Sequence, residues 1–80
     1  MTQTSKMLEL LKEYAENYGY YIKASHNAET ERARARAEKH ALIYKGKQKA
    51  TAEILANVFN VDGFRIANAI LKGYTKGLND

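Results

Sequence analysis

The sequence contains no cysteine, no proline and no tryptophan. Without cysteine the chain has neither a disulfide framework nor a thiolate metal site, which is typical of a protein in a reducing compartment. No run approaches the roughly 18 apolar residues of a membrane span, and charged residues interrupt the apolar stretch near the N-terminus. These absences predict a cytoplasmic protein that does not enter a membrane. Since proline is absent, glycine is the only helix breaker.

The length of the chain predicts a single domain over residues 1–80. A chain this short buries about 60 to 65 per cent of its unfolded surface. We therefore expect its stability to lie near the lower end of the usual range of about 5 to 15 kcal/mol. Self-association would bury further apolar surface and so stabilise a domain with a small core. Two-fold dimers are the commonest closed assembly. The sequence thus predicts a homodimer whose contacts include the first helix or the C-terminal tail.

The net charge of +4 is concentrated in the middle of the chain. Residues 1–28 and 53–80 each carry equal numbers of basic and acidic side chains, whereas residues 29–52 carry seven basic and three acidic ones. A local excess of this kind indicates an anionic partner such as nucleic acid, an acidic protein face or a membrane surface. A solvated helix and loop without a partner would show the same pattern. Of the partners, we predict duplex DNA or an acidic or nucleic-acid-binding protein.

The apolar periodicity predicts an all-α domain of four helices. They run from Thr4 or Ser5 to Gly19, from Asn27 to about Tyr44, from about Ala50 to Phe59, and from about Asp62 to Gly73. Tyr20–Ile22 is predicted to be a packed connector and Lys45–Lys49 a basic loop. The third helix is expected to bury Ile54, Leu55, Val58 and Phe59, and the fourth Ile66, Ala67, Ile70 and Leu71.

The segment Ala52–Gly73, AEILANVFNVDGFRIANAILKG, has the residue pattern of two helices joined by a tight turn. Ala56 supplies a small side chain where such helices cross, and Phe59 and Val61 flank a turn at Asn60. The docking positions of the second helix are Ile66, Ala69 and Ile70. The segment, about residues 50–73 of the domain, resembles the helix-turn-helix of the phage lambda Cro and repressor family. The resemblance implies a small phage- or mobile-element-type regulator that binds duplex DNA as a dimer.

The positions that would face the bases depart from that family. They are Asp62, Gly63, Phe64, Ala67, Asn68 and Leu71. Asn68 alone offers a bidentate base contact, Arg65 can reach a phosphate or a guanine, and Asp62 would repel the DNA backbone. Phe64 and Leu71 are apolar, as expected of a protein contact or a core. A second hypothesis is therefore a small inhibitor of a host enzyme or defence complex that uses a helical scaffold and a basic surface.

The predicted site consists of two groups of side chains. The group expected to bind nucleic acid or another anionic partner comprises Arg32, Arg36, Lys45, Lys47, Lys49, Arg65, Asn68 and Lys72. Lysines in a loop before a helix would hold a phosphate together with free helical N–H groups, although solubilising lysines would look the same. Because tyrosine and apolar side chains are enriched at interface centres, the predicted protein interface comprises Phe64, Leu71, Tyr20, Tyr21 and Tyr74.

No arrangement of residues in the sequence is typical of catalysis. His26 and His40 have no carboxylate at the spacing that would complete a metal site. Ser25 and His26 are adjacent, so their side chains diverge and cannot form a triad. The glycines are scattered rather than grouped in a phosphate-binding loop. We therefore predict a binding protein and not an enzyme, with no cofactor and no metal.

Overall fold

A computed structural model describes residues 2–76 of the chain. These residues form three α-helices and no strand: α1 spans Gln3–Asn27, α2 spans Glu31–Val58 and α3 spans Gly63–Thr75. The prediction of an all-α protein is confirmed, but the prediction of four helices is wrong. Residues 77–80, the end of the C-terminal tail named as a possible dimer contact, lie outside the described residues.

The second and third predicted helices are one continuous helix, α2. It begins after Thr30, whose side-chain hydroxyl accepts a hydrogen bond of 3.1 Å from the Ala33 N–H, and not at Asn27. The segment 45–49, predicted to be a loop, lies in its middle. Gly46 costs the helix about 1 kcal/mol relative to alanine. That cost is too small to interrupt a helix whose other side is held by packing.

Helix α1 also continues past its predicted end at Gly19. Gly19 is buried, and a Cβ atom added there would lie 2.7 Å from Cβ and Cγ of Tyr74. A glycine at this position lets the side chain of Tyr74 rest directly on the backbone of α1. The residue therefore marks a close approach of α3 to α1, and Tyr20–Ile22 is helical instead of a connector.

Helices α1 and α2 form an antiparallel hairpin, and α3 packs along one side of it. α3 begins beside Ala52 of α2 and ends with Tyr74 against Gly19 of α1, so it runs in the same direction as α1. The fully buried core joins all three helices and consists of Leu11, Ala15, Ala52, Leu55 and Ala67. Only two of these side chains are larger than alanine. Larger side chains such as Phe59, Ile66 and Ile70 pack against this core but stay partly exposed, so few large side chains are fully buried.

The turn between α2 and α3 lies where the sequence predicts it. Asn60 has a φ of 56°, a left-handed conformation that asparagine tolerates better than most residues. This conformation lets the Val61 N–H donate a 2.9 Å hydrogen bond to the Leu55 carbonyl, which closes the end of α2. The predicted crossing residue is wrong, however. Ala56 is exposed, and the two helices meet where Gly63 packs against Ala52.

Gly19 and Gly46, which were both predicted to interrupt helices, should respond in opposite ways to replacement by alanine. Apart from the adjacent backbone of its own helix, nothing lies within 4 Å of the Cβ position at Gly46, so Gly46→Ala should stabilise the protein by about 0.5 to 1 kcal/mol. At Gly19 the same change forces Tyr74 to move and should destabilise by about 1 to 3 kcal/mol. Urea unfolding followed by circular dichroism measures both variants. Equal changes at the two positions would contradict this account of the helices.

Candidate functional site

The outward side of α3 carries a row of exposed polar side chains. Arg65, Asn68 and Lys72 recur at three- and four-residue steps on the side of the helix away from the buried Ala67. Together with Asp62, Phe64 and Ala69 they line one open depression on the surface. The predicted base-facing set is corrected in two places, because Gly63 and Ala67 are buried against the hairpin. Leu71 is half-buried beside them.

The charge on this side of α3 is positive. Lys76, one turn after Lys72, extends the row, and helix α3 itself contains no acidic residue. We call Arg65, Asn68, Lys72 and Lys76 the α3 face. Sequence reasoning left Lys76 out of the site, although its spacing of four residues from Lys72 was a signal for it. Asp62 precedes the helix, and its carboxylate accepts a 3.2 Å hydrogen bond from the Arg65 N–H. This negative charge therefore also caps the helix.

Two of the predicted lysines lie on the side of α2 nearest to α3. Lys45 and Lys49 precede Ala52 by seven and three residues, so they share its side of the helix, and Ala52 is where α3 begins. Both lysines are exposed. They lie within a continuous helix, so their backbone N–H groups are not free to hold a phosphate as predicted. Glu53, one turn beyond Lys49, offsets part of the charge on this side.

The other predicted cations lie elsewhere on the hairpin. The Lys47 ammonium lies 5.3 Å from the ring centre of Tyr44 and 5.7 Å from that of Tyr14, on the other side of α2. Residues two apart in a helix point about 200° apart, and for this reason Lys47 separates from its neighbours. Arg32 and Arg36 are exposed near the start of α2, at the opposite end of that helix from Ala52, where α3 begins. The predicted basic site is thus divided into separate parts.

The predicted protein interface is also divided. Tyr20 is exposed as predicted, but Tyr21 and Tyr74 are half-buried. The Tyr21 ring stacks between His40 and Tyr44, at centre-to-centre distances of 4.9 and 5.7 Å. These rings join α1 to α2 and give Tyr21 a packing role. Of the predicted apolar contacts, only Phe64, which is 41% exposed, borders the α3 face.

A second surface was missed by sequence reasoning. The predicted burial of Ile54 and Val58 is wrong, because both side chains are exposed. They line an apolar depression between the start of α1 and the end of α2, with Gln3 and Lys6 at its edge. We call its apolar lining the apolar patch, which consists of Met7, Leu10, Ile54, Val58 and Phe59. The strong apolar periodicity around Leu55 indicated burial but not which side of α2 the other helices cover.

No family model, curated protein or solved structure with which the chain was compared matches it significantly. In the part of the chain that the structure describes, no three histidine, aspartate or glutamate side chains are grouped so as to hold a metal ion. None of the helices within residues 2–76 has a stretch sufficiently long and apolar to span a membrane. The function must therefore be argued from the α3 face and the apolar patch themselves.

Proposed function

We propose that the protein binds duplex DNA through the α3 face, with Lys45 and Lys49 as flanking phosphate contacts, and acts as a small regulator of the phage or mobile-element type. The observation that carries the proposal is the exposed row of Arg65, Asn68 and Lys72 on one side of a short helix. Cations at both ends of such a row suit phosphates, and an amide between them suits a base edge.

An α-helix with its side chains is about 10 to 12 Å across, so α3 is narrow enough for a major groove. At a rise of 1.5 Å per residue, Arg65 and Lys72 are about 10 Å apart along the helix axis. The major groove is about 12 Å wide and admits one α-helix. Asn68 lies between the two cations, where its side-chain amide can pair with the donor and acceptor of an adenine. Arg65 has a guanidinium fork that suits either a guanine or a phosphate.

Of the residue pattern in 52–73 that resembles the Cro and repressor family, the turn at Asn60 supports the proposal, whereas the exposed Ala56 and Ala69 depart from it. The departures from that family limit what α3 can read. The start of the helix, where a reader usually contacts bases, has the carboxylate of the capping residue Asp62 and the ring of Phe64 in the first turn. We therefore expect most of the affinity to come from phosphates and only a narrow sequence preference to come from Asn68.

A salt titration tests the proposal. Labelled duplex DNA is mixed with the purified protein, and the dissociation constant is measured by fluorescence anisotropy at several salt concentrations. Three to five phosphate contacts predict a slope of log affinity against log salt of about −2.7 to −4.5, since each contact contributes about −0.9. Binding that does not weaken with added salt, or no binding at 50 mM salt, would overturn the proposal.

Replacing Asp62 provides a more specific test of the same proposal. Asp62→Asn keeps the helix cap, because asparagine caps as well as aspartate, but removes a charge that repels phosphates. We expect the affinity for DNA to rise about fivefold at low salt, the equivalent of roughly 1 kcal/mol for unit charges a few ångströms apart in water. The gain should fade as salt is added. Asp62→Ala is the control, since it should lose about 1 kcal/mol of stability with the cap.

A protein partner is the second candidate, and the position of Phe64 favours it. This ring is 41% exposed and lies in the same depression as Arg65 and Asn68. An aromatic ring beside an arginine is typical of the centre of a protein interface. Failure of the salt titration would leave this function, an inhibitor that binds an acidic or nucleic-acid-binding protein, as the better account of the α3 face.

A further inference from the structure

The apolar patch is a continuous apolar surface on the side of the hairpin away from α3. Val58 is 69% exposed and Leu10 is 38% exposed. The polar side chains of the depression lie at the edge of the patch. Ile54 follows Ala52 by two residues, which turns it about 200° away from the side that α3 covers. The patch and the α3 face therefore lie on opposite sides of the molecule.

The small core gives a reason for the patch to be covered. Leu11 and Leu55 are the only large side chains that are fully buried among residues 2–76. A domain of this size gains stability when association removes more apolar area from water. Covering the patch would bury side chains that the three helices leave in solvent.

The charges around Leu10 indicate which partner covers the patch. Lys6 and Glu13 are exposed and lie four residues before and three residues after Leu10, so the three share one side of α1. If two α1 helices pair antiparallel about Leu10, residue 6 of one copy lies level with residue 14 of the other. Lys6 then lies within one residue position of the partner's Glu13. By symmetry, Glu13 lies equally close to the partner's Lys6. Opposite charges placed about a centre in this way are what two-fold self-pairing requires.

We propose that the apolar patch is the interface between two copies of this chain, with their α1 helices antiparallel about Leu10. The second copy buries Leu10, Ile54 and Val58, and two Lys6–Glu13 pairs border the contact. Because α3 lies on the other side of each hairpin, both α3 faces remain uncovered and point away from the interface. Self-association therefore does not depend on whether the α3 face binds DNA.

Sedimentation equilibrium of the full chain tests the apolar part of the proposal. We expect a dimer with a dissociation constant on the order of 10 to 100 µM, as for small interfaces. Val58→Lys should weaken it at least about 30-fold, because a charge would be buried without a partner. The matched control is Leu42→Lys, since Leu42 is 68% exposed against 69% for Val58 but lies outside the patch. A wild-type monomer at about 1 mM, or equal effects of the two variants, would overturn the proposal.

A charge reversal tests the identity and orientation of the partner. Lys6→Glu and Glu13→Lys should each weaken the dimer about 3- to 30-fold, since two exposed pairs change at once. The double variant restores opposite charges across the two-fold axis and should return to within about threefold of the wild type. A double variant as weak as the single variants would overturn the proposal. Circular dichroism at low concentration checks that every variant has the wild-type helix content.

Discussion

Replacing Leu11 with alanine is expected to leave much of the protein unfolded at 37 °C. Leu11 and Leu55 are the two large side chains that are fully buried among residues 2–76, and Leu11 lies at the contact of the three helices. Leucine-to-alanine changes at such sites cost about 2 to 5 kcal/mol. That cost is a large part of the total free energy of unfolding, which is about 5 kcal/mol for a small domain. At about 4 to 8 °C per kcal/mol, the melting temperature should fall by at least about 10 °C.

Leu10 supplies the matched control for this prediction. It is the neighbouring residue and undergoes the same chemical change, but it is 38% exposed in the apolar patch. Leu10→Ala should cost less than about 1.5 kcal/mol when unfolding is measured at low micromolar concentration, where the dimer has dissociated. Thermal unfolding followed at 222 nm compares the two variants. Similar losses would mean that the core is not centred on Leu11.

The second large effect concerns DNA. Arg65→Ala combined with Lys72→Ala removes two cations from the α3 face and should weaken DNA binding by about 2 to 4 kcal/mol, or roughly 30- to 1,000-fold. The salt slope should flatten by nearly two units, since two phosphate contacts are lost. Both side chains are exposed, so the stability should change by less than about 0.5 kcal/mol per site.

Arg32→Ala combined with Arg36→Ala is the control for this experiment. It removes the same charge from the start of α2, at the opposite end of that helix from Ala52, where α3 begins. If α3 is the binding surface, this variant should weaken binding less than about fivefold and should leave most of the salt slope intact. Equal losses in the two double variants would mean that net charge, and not the α3 face, holds the DNA.

The sequence predicts correctly those helix ends that are determined by a few adjacent residues. The Asp62 cap and the turn at Asn60 place α3 and the end of α2 correctly, because capping and left-handed turns depend on a few adjacent residues. Gly19 and Gly46 were wrongly interpreted as breaks. A glycine costs a helix about 1 kcal/mol, which long-range packing along α1 and α2 exceeds. That packing is not visible in the residues around either glycine.

The sequence shows which basic residues are available for the candidate site, but it does not show how they are arranged on the helices. The basic side chains that the sequence places in the site within residues 29–52 are all exposed. Their grouping failed because Lys45, Lys47 and Lys49 were placed in a loop, where all three would point to one partner. On a helix Lys47 turns away to the rings of Tyr14 and Tyr44. The apolar patch was missed for a similar reason, since only the position of α3 decides which side of α2 stays exposed.

Chemical-shift mapping tests most directly whether the α3 face binds duplex DNA. Labelled protein is titrated with a short duplex, and amide shifts are followed by NMR. If the α3 face binds DNA, the largest changes fall on residues 63–76 and on Lys45 and Lys49, and the apolar patch changes little beyond the effect of protein concentration alone. Shifts that centre on Arg32 and Arg36, or no saturable shifts at low salt, would contradict it.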